Sequence, residues 1–126
     1  FVKTMLRLGQ EKRVLSVICD QIGTPNYAGD LVRAILDIIP QLDHKVVALF
    51  HYANEGVCSW YDFAKAIFKI ADLNVKINAI ESSEFPTAAK RPYFSVLNKT
   101  KIKNRFQIEI VNWREALKDS RKKVNN

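Results

Sequence analysis

The chain has 126 residues, 48% of them hydrophobic and 26% charged, which suffices for one domain with a real core and is ordinary for a soluble globular protein. Four glycines and four prolines exclude a low-complexity linker, and the longest unbroken apolar run, Val46 to Phe50, excludes a membrane-spanning helix. A formal net charge of +7 raises the question of an anionic partner. Much of the excess is local: Lys90, Arg91, Lys99, Lys101, Lys103 and Arg105 fall between Phe85 and Ile108 with no acid among them.

Phe1 to Gln10 reads as the end of a helix, with Val2, Met5 and Leu6 on one face and Gly9 near its C-terminus. The chain opens on Phe1 and Met5 is its only methionine, so it reads as a fragment of a longer protein; its amphipathic start is unlike a signal peptide. Arg13 to Cys19 is β-branched and apolar, a strand, and Asp20 to Tyr27 is turn chemistry built on Gly23 and Pro25. A helix follows from Gly29 or Asp30, with Leu31, Ile35, Ile38 and Ile39 at helical spacing, and Pro40 stops it. Val46 to Tyr52 reads as a second strand and Asn54-Glu55-Gly56 as a turn.

Ser59 then caps the best-defined helix, with Asp62 completing a capping box and Trp60, Phe63, Ala64, Ile67, Phe68 and Ala71 forming its apolar stripe. Val75 to Ile80 alternates as a short strand, Ser82 to Pro92 is a loop, and Asn98 to Arg105 and Asn112 to Lys123 read as two more helices. Trp113, Ala116 and Leu117 form the inward face of the last one. The basic cluster from Arg121 to Lys123 lies in a tail, 120–126, expected to fray. Strands alternating with helices argue an α/β or mixed α+β subdomain with about five helices. Three strands are few for a self-sufficient doubly wound sheet.

Within the capped helix, Tyr61 and Lys65 form a Tyr-x-x-x-Lys pair, four residues apart on one side. In carbonyl reductases such a pair transfers protons, but it works beside a bound dinucleotide. Gly9, Gly23, Gly29 and Gly56 make no GxGxxG or relative of it, so the chain lacks a phosphate cradle. Tyr61 therefore reads as packing at the stripe's edge and Lys65 as a solvated charge. Cys19 and Cys58 read as free thiols in a reducing cytoplasm, and no cluster of His, Cys and carboxylates has metal-ligand spacing. His51 reads as a satisfied structural histidine on a strand, and Trp60 and Trp113 read as core rather than sugar platforms. His44 carries no signal.

Four runs occur in order: DQIGTPNYAGDLVRAI (20–35), HYANEGVCSWYDFAKAI (51–67), FPTAAKRPYFSVLNKTKI (85–102) and NWREAL (112–117). Together they resemble the C-terminal half of the dTDP-4-dehydrorhamnose reductase family, extended short-chain dehydrogenase/reductases, across essentially the whole chain. The family usually carries Thr where Asn26 stands and Gly where Ala48 stands. The resemblance implies a substrate-binding lobe over residues 1–126. The glycine-rich cofactor half and the true Tyr/Lys dyad would then lie upstream of Phe1, so no catalytic residue is expected here. It implies reduction of dTDP-4-dehydro-L-rhamnose to dTDP-L-rhamnose for cell-surface polysaccharide, with NADPH or NADH bound by the absent half. Magnesium belongs to the full-length family, with no site visible in this chain. A dTDP-linked sugar, the cofactor half and a second copy are the implied partners, and the lobe alone is expected to be inactive.

On composition alone Lys90 and Arg91 are solvated loop charges. The resemblance gives them another role: the family keeps an Arg-Pro with Ser three residues after the Pro, matched by Arg91, Pro92 and Ser95. A guanidinium can bridge two phosphate oxygens, so Arg91, Lys90, Pro92 and Ser95 are the expected nucleotide-sugar contacts. Two alternatives stay open, a non-catalytic regulatory homologue of the same fold and a nucleic-acid-binding module using the basic stretch with Tyr93, Phe94 and Phe106.

Overall fold

Two units divide the chain in the computed structural model, which describes residues 1–43 and 45–124: Phe1–Gly23 with Val57–Ser95, and Thr24–Gly56 with Val96 to the chain's end. The first unit carries helices α1 (Val2–Glu11) and α3 (Trp60–Ala71) and strands β1 (Val14–Ile18), β2 (Ile22–Gly23), β3 (Cys58–Ser59), β4 (Lys76–Ile80) and β5 (Phe94–Ser95). Helix α3 starts at the expected residue because Ser59 Oγ accepts the Asp62 N–H at 3.0 Å while Asp62 accepts the Ser59 N–H at 3.2 Å. It ends at Asp72, whose left-handed backbone (φ 53°) turns the chain back. Phe63, Ala64, Ile67 and Phe68 are buried from α3, with Met5 from α1 and Val17 from β1. Gly9 permits the close approach of α1, since a Cβ there would meet Phe68 Cε1 at 2.7 Å.

β1 and β4 pair in parallel from Val14↔Lys76 to Ile18↔Ile80, confirming both expected strands. A second sheet has the order β3-β2-β5, with β2 antiparallel to β3 and parallel to β5. These two-residue strands fall in runs whose Gly, Pro and Ser content reads as turn, so the sequence pattern hides them.

The second unit carries α2 (Ala28–Ile38), a 3-10 turn (Ile39–Gln41), α4 (Thr100–Phe106) and α5 (Trp113–Val124). Its core joins Ile102, Phe106 and Ile110 to Ile38, Phe50, Tyr52 and Ile108. Trp113, Ala116 and Leu117 are buried, the inward face expected of α5. This helix runs through most of the 120–126 tail, of which Asn125 and Asn126 lie outside the described residues, as does His44.

Two expectations fail in this unit. Val46 to Tyr52 is not a strand: it has no ladder partner among the described residues, and Val46, Val47 and Leu49 are exposed. A β-branched run without a neighbouring strand cannot satisfy a ladder whatever its propensity. His51 accordingly sits exposed on this segment rather than within a sheet. The α2 stripe is also largely outward. Leu31, Ile35 and Ile39 are exposed, while the same helix buries Asp30 and Ala34.

Replacing Ser59 by Ala removes the α3 cap, so urea unfolding should show a loss of about 1 kcal/mol. A shift under a few tenths would mean the box contributes nothing beyond the helix's packing.

Candidate functional site

The basic loop lies in the first unit, between a 3-10 turn at Ser82–Glu84 and β5. Lys90, Arg91, Pro92 and Ser95 are all exposed, and Phe85, Tyr93 and Phe94 beside them are more than half exposed. Among the described residues Lys90 and Arg91 make no side-chain hydrogen bond or ion pair, so their charges stand unneutralised. Ser95 is set by the sheet, opposite Gly23 in the β2–β5 ladder. The four expected contacts thus share one loop, with Ser95 on its fixed end and the cations on its open part.

Sequence reasoning left unassigned the side chains that hold the loop's first end. Asp20 accepts the Ser82 hydroxyl at 2.7 Å and the Ser82 N–H at 3.0 Å, and Gln21 Nε2 donates to Ser82 Oγ at 2.8 Å. Those bonds, the side-chain one first, hold the Asp20 carboxyl below the ordinary aspartate range. The only signal in the sequence was a polar pair inside a turn, sixty-odd residues from its partner.

Tyr61 and Lys65 behave as the helix reading expects. Tyr61 is half-buried in the first turn of α3 and Lys65 is exposed, its Nζ 5.3 Å from the Tyr61 ring centroid. They line an open cavity of about 310 Å³ with Phe68, Lys69 and Leu73, and no glycine is among its lining residues. Two further glycines are explained by their immediate surroundings. A Cβ at Gly29 would meet the Tyr27 ring at 2.6 Å, and Gly56 adopts φ 82° against Asn112 and Trp113. Trp113 is core, whereas Trp60 is half-buried with its ring 4.9 Å from that of Phe1.

The other four cations of the basic stretch each find a partner inside the second unit. Lys99 and Lys103 pair with Glu55 at 3.1 and 3.0 Å. Lys101 donates to the Leu49 carbonyl at 2.7 Å, and Arg105 lies over the Phe106 ring at 5.1 Å. A continuous nucleic-acid face needs these cations free, with aromatics interleaved in solvent, yet Phe106 is buried.

The family model described as the RmlD substrate binding domain matches residues 1–126. A dTDP-4-dehydrorhamnose reductase of Aggregatibacter actinomycetemcomitans is 40% identical over 96% of this chain and 44% of its own length. Among solved structures, a dTDP-4-dehydrorhamnose reductase of Clostridium acetobutylicum superposes over the whole chain with TM-score 0.90 and 38% identity, and 44% of that protein is covered. One from Bacillus anthracis in complex with NADP gives TM-score 0.88 and 36% identity, with 100% of this chain and 43% of that one covered. The chain thus spans less than half the length of the relatives it matches.

Glu55 responds to pH. Burial pushes its carboxyl up, but hydrogen bonds from Lys103 and Lys99 outweigh this and hold it below the ordinary glutamate range. A lowered carboxyl contributes stability above its unfolded value, about 4.3, and loses it as pH falls through the folded value. At pH 7 Glu55→Gln should therefore be less stable than the wild type, because Lys99 keeps only 10% of its side chain exposed and loses its counter-charge. The gap in urea midpoint should close on acidification below about pH 4; a constant gap down to pH 3 would show that the pair does not set it.

Proposed function

This chain belongs to the RmlD substrate-binding domain family, and from that premise we propose that it is the nucleotide-sugar-binding part of a dTDP-4-dehydrorhamnose reductase. Arg91 and Lys90 receive the diphosphate of a dTDP-linked sugar, Pro92 stiffens the backbone behind them, and Ser95 adds a hydroxyl at the sheet end of the loop. One observation carries this reading: two adjacent cations on an exposed loop with no internal counter-charge, inside a chain that matches the family from end to end.

The chemistry follows from charge and geometry. A diphosphate presents adjacent anionic oxygens that a planar guanidinium can bridge with two N–H donors, while the Lys90 ammonium adds a point charge. Binding the nucleotide end fixes the sugar end, so the keto carbon is held rather than encountered by collision. The reduced nicotinamide cofactor supplies the hydride when bound. On this reading the cofactor is held by the other half of the reductase, since the four glycines of this chain form no GxGxxG motif. Its residues thus bind and orient the substrate, and the reduction of dTDP-4-dehydro-L-rhamnose belongs to the complete reductase. A sequence with only two cysteines, Cys19 and Cys58, and no CxxC spacing suits a cytoplasmic enzyme.

The chain alone should not oxidise NADPH in the presence of the keto sugar, whereas the complete reductase should. In the complete enzyme Arg91→Ala should raise KM for the sugar nucleotide about tenfold or more, the worth of a charge-assisted pair. Arg91→Lys should recover part of it; an unchanged KM in the alanine variant removes the phosphate role. Tyr61→Phe should leave kcat within about twofold, since a packing phenol transfers no proton. A collapse of turnover with normal folding would instead return the Tyr61/Lys65 pair to the chemistry.

A further inference from the structure

Both ends of the basic loop are held by one short stretch of chain. At its start the Asp20 carboxylate takes the Ser82 hydroxyl at 2.7 Å and the Ser82 N–H at 3.0 and 3.1 Å, through both of its oxygens. Gln21, itself only 7% exposed, donates Nε2 to the same hydroxyl at 2.8 Å, so Ser82 Oγ gives one bond and receives another. At the loop's other end the Ile22 N–H donates to the Tyr93 carbonyl at 2.8 Å, and Ile22 and Gly23 run in register with Phe94 and Ser95. Between these anchors, from Phe85 to Pro92, the one side-chain hydrogen bond among the described residues is Thr87 Oγ1 to the Ala89 carbonyl, and every residue is exposed.

We propose that the tetrapeptide Asp20-Gln21-Ile22-Gly23 is a clasp that positions the Lys90-Arg91 loop for its anionic ligand, with Asp20 as the positioning residue. This rests on the diphosphate reading of that loop. Asp20 is not itself a ligand contact: its carboxylate would repel a diphosphate, and both oxygens are occupied by Ser82. Its contribution is conformational. A loop tied at both ends has fewer arrangements to lose when a ligand orders it, so binding costs less than on a loop tied at one end. The division of labour is also chemical. The C-terminal anchor is backbone ladder, which a point mutation barely alters, whereas at Ser82, beyond the β1–β4 pairing that ends at Ile80, the anchor depends on the Asp20 and Gln21 side chains and can be removed.

The test uses the full 126-residue chain with dTDP as the probe, comparing wild type, Asp20→Ala, Asp20→Asn, Ser82→Ala and Arg91→Ala by titration and by NMR. Asp20→Ala and Ser82→Ala should weaken dTDP binding about tenfold, and Asp20→Asn, which keeps one acceptor oxygen, should fall between them and wild type. Backbone order in residues 84–92 should drop in the same variants, while the Val17 and Ile80 amides of the β1–β4 pair keep their exchange protection. Wild-type affinity in Asp20→Ala, with the Ser82 amide deprotected, overturns the proposal. If wild type and Arg91→Ala bind dTDP equally, or neither binds, the diphosphate reading fails. The clasp is then decided by the order of residues 84–92 alone: a loss in Asp20→Ala upholds it and no change removes it. Should Asp20→Ala not fold, Asp20→Asn and Ser82→Ala carry the same comparisons.

Discussion

Two remote pieces of chain meet on two residues, Ile22 and Gly23. Cys58–Ser59 pairs with one edge of that strand and Phe94–Ser95 with the other, so the two stretches of sequence that make up the first unit are joined here, as in the β1–β4 pair, by backbone ladder. Backbone polar groups inside a fold must find partners, and a strand with neighbours on both sides satisfies them along both edges. The consequences run outward from there. Ser59 leaves the ladder and caps α3, which supplies four of the unit's seven buried hydrophobic side chains, and Ser95 leaves it as the fixed end of the basic loop. A two-residue strand thus connects the core helix to the proposed ligand site.

The second unit meets the same requirement with a side chain. Asn54 is fully buried, yet its amide donates to Asp30 Oδ2 at 2.9 Å and to the Val111 carbonyl at 3.2 Å, and its oxygen accepts the Tyr27 N–H at 3.0 Å. Its own N–H donates to Asn26 Oδ1 at 2.7 Å. A buried amide is costly when any of these is missing and specifying when all are present. This explains why α2 turns Asp30 inward and leaves Leu31, Ile35 and Ile39 outward, against the apolar stripe. A polar hub, rather than hydrophobic periodicity, sets which face of that helix is buried.

Much of the local structure was legible. The Ser59–Asp62 box, the α3 stripe and the inward Trp113, Ala116 and Leu117 face follow from spacing alone, because caps and helical stripes are short-range signals. The basic pair and its Arg-Pro-x-x-Ser pattern were singled out through resemblance rather than through charge, and the structure places them together on one exposed loop. The roles of Asp20, Gln21 and Asn54 were not. Each acts on a residue distant in sequence, Ser82 for the first two and Asp30 and Val111 for the third. Turn-rich composition around them advertises only a bend. The six cations from Phe85 to Ile108 looked like one basic surface, but pairing with Glu55 and the packing of Lys101 and Arg105 split it.

The sequence by itself determined the helices, the parallel pair of strands and the family to which the chain belongs. These rest on local periodicity and on ordered motifs that need no partner to be recognised. Only the tertiary structure decided that Val46 to Tyr52 stays out of a ladder, that α2 buries its polar side, and that Asp20 reaches Ser82. Strand pairing and polar satisfaction depend on what a residue meets across the fold, and one-dimensional order does not contain those meetings.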